Sequence, residues 1–283
     1  MLNNPYNIAL FKTHCTAVLF GATGIFGVLI KSNADVLTLA RLIIAFLALS
    51  AFFLLKRTKL NKLGLKETGI QALLGGLLTA HWVTFYIAVK VGGVAVGTLG
   101  FASFPAFVAL FEMWVFKERL KMSEFYLLAA ITLGLTLVTP EFQFGNQATQ
   151  GLLWGILSGA IYAILAILNR KNASQLTGSQ ASWWQYLFGA LILSPFAPQL
   201  ADVPPNDWFW LLCLGLLCTG VAYTLFVSSL NILNARTAAM IISLEPVYAI
   251  IMAWLWLNET PSLTMILGGI IIVCSVALVN LKK

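Results

Sequence analysis

An all-α integral membrane protein of ten transmembrane helices, folded as two inverted five-helix repeats, is the architecture this sequence predicts. Three observations carry that expectation. Of 283 residues, 60% are hydrophobic and 10% charged, against about 25% charged in soluble domains. Apolar windows of the ~20 residues that cross a bilayer as a helix recur along the whole chain. Residues 68–139, moved along by 141 positions, fall on 209–280 without a gap.

The spans follow in order. The first, 14–30, comes after Lys12, and no small-residue cleavage site follows it, so it is expected to be retained. The second, 36–55, carries Arg41 and runs into Lys56, Arg57, Lys59, Lys62 and Lys66. The third, 68–89, holds the glycine pair of "LLGGLLTA" and the cluster "HWVTFY" (81–86). Small residues of this kind let helices approach closely in lipid. The fourth, 93–116, contains Pro105; the fifth, 122–139, follows Lys117, Arg119 and Lys121 and completes a first half, 1–145. In the second half, 146–283, the sixth span is 151–169, ending at Arg170 and Lys171. The seventh, 183–200, opens on Trp183, Trp184 and Gln185, and the eighth is 208–229. The ninth, 236–257, begins at Arg236 and encloses Glu245-Pro246; the tenth is 262–281. The runs are continuous, without the alternation of a membrane β-barrel.

Orientation follows from charge. With both termini in the cytoplasm, fourteen of the seventeen lysines and arginines fall on inside connections. Lys31, Arg41 and Lys90 fall toward the outside. That asymmetry is the positive-inside pattern, and it accounts for the net charge of +7 without nucleic acid. The expected setting is the cytoplasmic (inner) membrane of a bacterium.

The repeat rests on rare residues. Pro105 meets Pro246, Glu118 meets Glu259, and Phe85 meets Phe226. Each half holds five helices, and five is odd, so the second half enters the membrane inverted. Inverted repeats are an architecture of secondary transporters, with the substrate near the midplane.

"SLEPVYAIIMAWLWLNET" followed by "LGGIIIVCSVALV" resembles the end of the second repeat in the EamA-type transporters of the drug/metabolite transporter superfamily. "TGVAYTLFVSSL" (219–230) is similar to the preceding helix, "FPAFVALFEMWVFKERL" (104–120) to the matching piece of the first repeat, and "TLARLIIAFL" (38–47) to its second helix. The resemblance implies ten helices and movement of small metabolites, often export of amino acids. One departure is plain: Phe104-Pro105 stands where the second half has Glu245-Pro246.

The candidate site is drawn from polar residues in apolar spans, which in a membrane point to function by default. Glu245 lies nine residues beyond Arg236, ~14 Å along its helix and near the middle of a ~30 Å core. It is the expected coupling or substrate-contacting acid; a neutral carboxylic acid holding two helices together is the alternative. Tyr248 and Met252 follow on its face. Pro246 and Pro105 are expected to kink their helices and to free a carbonyl one turn back, as static bends or as paired hinges. His81 is a structural hydrogen bonder or a lining residue beside Trp82 and Tyr86, with Tyr223 as the counterpart of Trp82. Arg41 either snorkels outward or faces the cavity to bind a carboxylate, with Gln185 as a neutral companion. Glu112 is expected to reach the cytoplasmic interface, and Glu118 and Glu259 to serve helix ends.

The functional expectation is a transporter of amino acids or related amphipathic metabolites by alternating access. Efflux of cationic or aromatic drugs is the alternative. An intramembrane enzyme is less expected, because the sequence shows no H-E-x-x-H, no G-x-S-x-G and no credible catalytic Ser/His pairing. No repeated polar loop suggests a channel filter, and no P-loop suggests direct use of ATP. The partners expected are a small-molecule substrate and the lipid bilayer. Proton coupling and facilitated diffusion stay open, as does the oligomeric state. Cys15, Cys213, Cys218 and Cys274 sit in apolar runs without ligand spacing, so neither a metal nor another cofactor is expected.

Overall fold

A computed structural model of the chain describes residues 4–117, 119, 122, 125–126, 128–130, 132–133, 145–173, 176–258, 260–264, 266–268, 270–271 and 274. Every regular element among these residues is helical. In chain order they are α1 (Pro5–Leu29), α2 (Ala34–Leu55), α3 (Leu65–Phe101), α4 (Phe104–Phe116), α5 (Gln147–Lys171) and α6 (Gly178–Ile192). A 3-10 segment, Ser194–Asp202, leads to α7 (Asp207–Cys213). A π-helical stretch, Leu214–Val221, then continues into α8 (Ala222–Ser229), and α9 (Ala235–Ile242) and α10 (Glu245–Leu257) follow. Six helical stretches among the described residues are long and apolar enough to cross a membrane. The fifth and tenth expected spans lie largely outside the described residues, as do Glu118 and Glu259.

Local chemistry explains the ends. Asn4, Asn146 and Asn234 accept the backbone N–H of Tyr6, Ala148 and Thr237 at the starts of α1, α5 and α9, each satisfying a donor that the first helical turn leaves free. Thr177 and Gln180 form a capping box on α6. The expected third and fourth spans join through Gly93, whose φ of 84° lies in the left-handed region that glycine adopts without a Cβ clash. The seventh span is shorter than expected. Its α-helix stops at Ile192, because Pro195 and Pro198 lack the N–H an α-helix needs, and the 3-10 segment takes over.

The two proline motifs differ from expectation in the same way. Neither proline kinks a continuous helix; each occupies the second position of a new one, after a two-residue break at Ala102–Ser103 or Ser243–Leu244. In a first turn the missing N–H costs nothing and the fixed φ suits the helix. α4 and α10 are both 13 residues long, and each ends on a left-handed residue, Lys117 (φ 55°) and Asn258 (φ 54°). Those two caps are also 141 positions apart.

Packing is close where glycines meet. A Cβ on Gly155 of α5 would lie 2.7 Å from the Gly97 carbonyl and 3.0 Å from Gly100 Cα on α3. Large apolar side chains turned outward, such as Trp114 (85% exposed) and Leu54 (78%), are what a lipid-facing surface carries. Where α1 gives way to α2, Lys90 donates to the carbonyls of Gly27 (3.1 Å) and Ile30 (2.8 Å). The Asp207 carboxylate accepts the Lys31 N–H there at 2.8 Å.

Candidate functional site

The break before α10 makes Glu245 the first residue of that helix. Helix N-termini carry partial positive charge, so a carboxylate is best tolerated there. Glu245 is 3% exposed, and its Oε2 has no hydrogen-bond partner among the described residues. It borders a cavity of ≈ 20 Å³ together with Phe20, Thr23, Arg41, His81, Trp82, Phe85 and Phe101. That volume holds about one water. In this arrangement the cavity is too small for a metabolite, which enters only if the helices part.

Arg41 does not snorkel. Its guanidinium is fully buried, donating from Nε to Thr219 Oγ1 (2.8 Å), from Nη1 to the Tyr86 hydroxyl (2.8 Å) and from Nη2 to the Cys218 carbonyl (3.4 Å). It lies 3.9 Å over the Trp82 ring, a cation–π contact that stabilises a desolvated cation. Among the described residues, two of its five N–H groups find no acceptor, one on each Nη. Two of the three acceptors, Thr219 and Cys218, come from the π-helical stretch, where Thr219 Oγ1 also donates five residues back to the Leu214 carbonyl at 2.9 Å. A π-turn aims backbone groups in directions an α-helix does not, and such turns recur at functional sites.

His81 packs its ring on Tyr162, centroids 4.4 Å apart. Its Nδ1 lies 2.7 Å from Ser158 Oγ and 3.2 Å from the Ser158 carbonyl, while Ser158 Oγ donates to the His81 carbonyl at 2.9 Å. A carbonyl only accepts, so these bonds assign the ring proton to Nδ1 and leave Nε2 an acceptor in the neutral ring. His81 is thus both structural bonder and cavity wall.

The cavity gathers Glu245, Arg41, His81 and Trp82, and Tyr86 holds Arg41 from behind. Tyr223 and Gln185 stand in an adjoining network. The Tyr223 hydroxyl donates to Gln185 Oε1 (2.5 Å), and Gln185 Nε2 donates to Asn169 (2.8 Å) and Gln71 (3.1 Å). Tyr223 meets Trp82 edge-on at 5.8 Å. Tyr248 is half-buried, is not among the cavity residues, and leaves no room for a Cβ on Gly21.

Sequence reasoning missed Thr219, Tyr162, Ser158, Asn169 and Gln71, although Gln71 and Asn169 were visible as amides in or beside apolar runs. It also named no arginine partner for Glu112. That carboxylate is fully buried, 2.6 Å from Arg170 Nη1 and 2.9 Å from Arg236 Nε. The interface was expected from its nearness to Lys117; the two guanidiniums converging from α5 and α9 explain how it is buried instead.

The EamA-like transporter family model matches this chain twice, over residues 7–139 and 149–281. An uncharacterized transporter, YxxF, of Bacillus subtilis (strain 168) is 24% identical over 282 residues, covering 97% of this chain and 90% of that protein. An uncharacterized transporter of Archaeoglobus fulgidus is 25% identical over 263 residues, covering 92% of each. A solved structure described as "Crystal structure of protein" aligns with a TM-score of 0.75 at 17% identity over 97% of this chain and 96% of its own. That likeness shows a shared fold.

Proposed function

The chain belongs to the EamA-like transporter family and is a membrane transporter; from that premise we propose that it exports amino acids or related small amphipathic metabolites by alternating access, with the cavity between Arg41 and Glu245 as the substrate site. The observation that carries the reading is a pair of opposite groups on one buried cavity, neither used up by the other. The two uncommitted N–H groups of Arg41 suit a carboxylate, and Glu245 suits an ammonium. His81, an acceptor at Nε2 in its neutral form, is the lesser partner for a carboxylate. Phe20, Trp82, Phe85 and Phe101 supply apolar wall.

The wider architecture belongs to the same proposal. Two five-helix halves, 1–145 and 146–283, sit inverted about the site in the bacterial inner membrane, with both termini cytoplasmic. Support comes from the double family match and from the paired prolines and helix caps at the 141-residue offset. The breaks ahead of Pro105 and Pro246 are where such helices would pivot. Glu245 is the group through which proton coupling would run, charged beside a cationic substrate and protonated otherwise, since a lone charge at mid-membrane is costly.

The aromatic wall favours one second reading, efflux of cationic or aromatic drugs, because rings attract desolvated cations. Counterflow with purified protein in proteoliposomes, screening amino acids, toxic analogues and lipophilic cations, tests both. Saturable exchange of amino acids is expected. Exchange of lipophilic cations alone transfers the site to the second reading, and flux that never saturates removes the carrier.

A further inference from the structure

Tyr186, on α6, is fully buried, and its hydroxyl donates to the Thr219 carbonyl at 2.9 Å. The same hydroxyl lies 3.4 Å from Thr224 Oγ1. A buried phenol needs an acceptor, and almost any carbonyl would satisfy it. This carbonyl belongs to the residue whose side chain holds Arg41. Thr219 is fully buried in the π-helical stretch and spends its one hydroxyl proton on the Leu214 carbonyl at 2.9 Å. Its Oγ1 can therefore only accept from Arg41 Nε, at 2.8 Å. The neighbouring Cys218 carbonyl takes Nη2 at 3.4 Å. A relay thus runs from α6 through the π-turn to the guanidinium on α2, and Arg41 borders the cavity.

π-helical turns are rare and short, so contacts from outside the helix help to keep such a turn's groups aimed. Tyr186 supplies one at the position that matters to Arg41. With Nε on Thr219, Nη1 on Tyr86 and Nη2 on Cys218, one N–H on each Nη lacks an acceptor among the described residues. An end-on carboxylate takes one N–H from each Nη, in two parallel bonds. The acceptors already in place decide which way that pair faces. We propose that Tyr186 is a positioning residue for carboxylate recognition: through the Thr219 carbonyl it fixes the π-turn that aims the end-on N–H pair of Arg41 at the substrate. This rests on the cavity being the substrate site, and it adds to that reading a residue that acts through another. No covalent bond is made or broken.

The test measures half-saturation by counterflow in proteoliposomes of full-length protein, for the common L-amino acids and for their carboxamides. The proteins are wild type, Tyr186→Phe, Thr219→Val, Thr219→Ser, Arg41→Lys and the double variant of Tyr186→Phe with Arg41→Lys. Tyr186→Phe is expected to weaken amino acid binding roughly threefold or more, within the range for one lost hydrogen bond. Carboxamides offer the guanidinium one oxygen instead of two, and their binding is expected to stay unchanged. Thr219→Val deletes the acceptor and is expected to reproduce the loss; Thr219→Ser keeps it and is expected to retain wild-type values. In the Arg41→Lys background the effect of Tyr186→Phe is expected to vanish, because a point charge has no fork to aim. A phenol that serves packing alone would weaken both classes of compound together, in either background. That result overturns the inference, as does unaltered amino acid binding by Tyr186→Phe. The substrate-site reading survives either outcome as long as Arg41→Lys binds amino acids more weakly than wild type. Equal binding by Arg41→Lys, or no binding by wild type, overturns both.

Discussion

Glu112 Oε1 stands 2.6 Å from Arg170 Nη1, a contact between α4 and α5 across 58 residues of chain. The other carboxylate oxygen faces Arg236 Nε at 2.9 Å, and the carboxylate has no exposure. One buried anion therefore holds two guanidiniums. Glu112→Gln removes the charge that pays for burying them, and a broken buried pair typically costs ~3–5 kcal/mol. The variant is expected to melt well below wild type in detergent, with Glu112→Asp in between. Equal melting of Glu112→Gln and wild type would show that the triad contributes nothing.

Arg41→Lys is expected to fold and to bind substrate at least roughly tenfold more weakly, about 1.4 kcal/mol. The guanidinium reaches Thr219, Tyr86 and Cys218 at once and keeps two N–H groups to spare. An ammonium is a point charge without that fork. Half-saturation for a carboxylate-bearing substrate is the measurement, and an unchanged value would leave Arg41 a structural cation.

Glu245→Gln is expected to insert and fold normally, because the amide keeps the shape at the start of α10. It should lose transport or its dependence on pH. Uptake into proteoliposomes from mildly acidic to mildly alkaline pH decides between the roles. Wild-type rates throughout would reduce Glu245 to a structural residue.

Gly155→Val drives a branched side chain into the Gly97 carbonyl and Gly100 Cα. Both are backbone atoms, so no side chain can rotate away. Overpacking of this kind costs ~1–3 kcal/mol. A lowered melting temperature is expected, and a variant as stable as wild type would mean that α3 and α5 separate freely.

Reporter fusions after Lys62 and after Asp202 are expected to report opposite faces of the membrane, the first cytoplasmic. The basic run at 56–66 and the charge split require it. Both reporters on one face would remove the inverted arrangement.

The membrane class, the family and the polar residues worth testing were legible in the sequence. Composition and span length depend only on local chemistry, and a Glu-Pro pair in an apolar run is conspicuous wherever it folds. Arg41 and Glu245 could be named as candidates for this reason. What local chemistry left ambiguous was direction. Arg41 a turn and a half into a helix can reach either water or a neighbour, and Glu112 near Lys117 reads the same way. Pro246 in an apolar run reads as a kink until the chain is seen to end one helix at Ile242 and begin another at Glu245.

The sequence by itself determined that this chain belongs in a membrane and that a few polar side chains stand inside its apolar runs. Only the tertiary structure decided which of them meet. Arg41 binds Thr219 across 178 positions, and His81 binds Ser158 across 77. Burial in lipid demands that each polar group find a partner, but it does not say which one. That choice belongs to helix packing, in which close glycine contacts, helix breaks and a π-turn aim side chains that periodicity alone leaves free to point several ways.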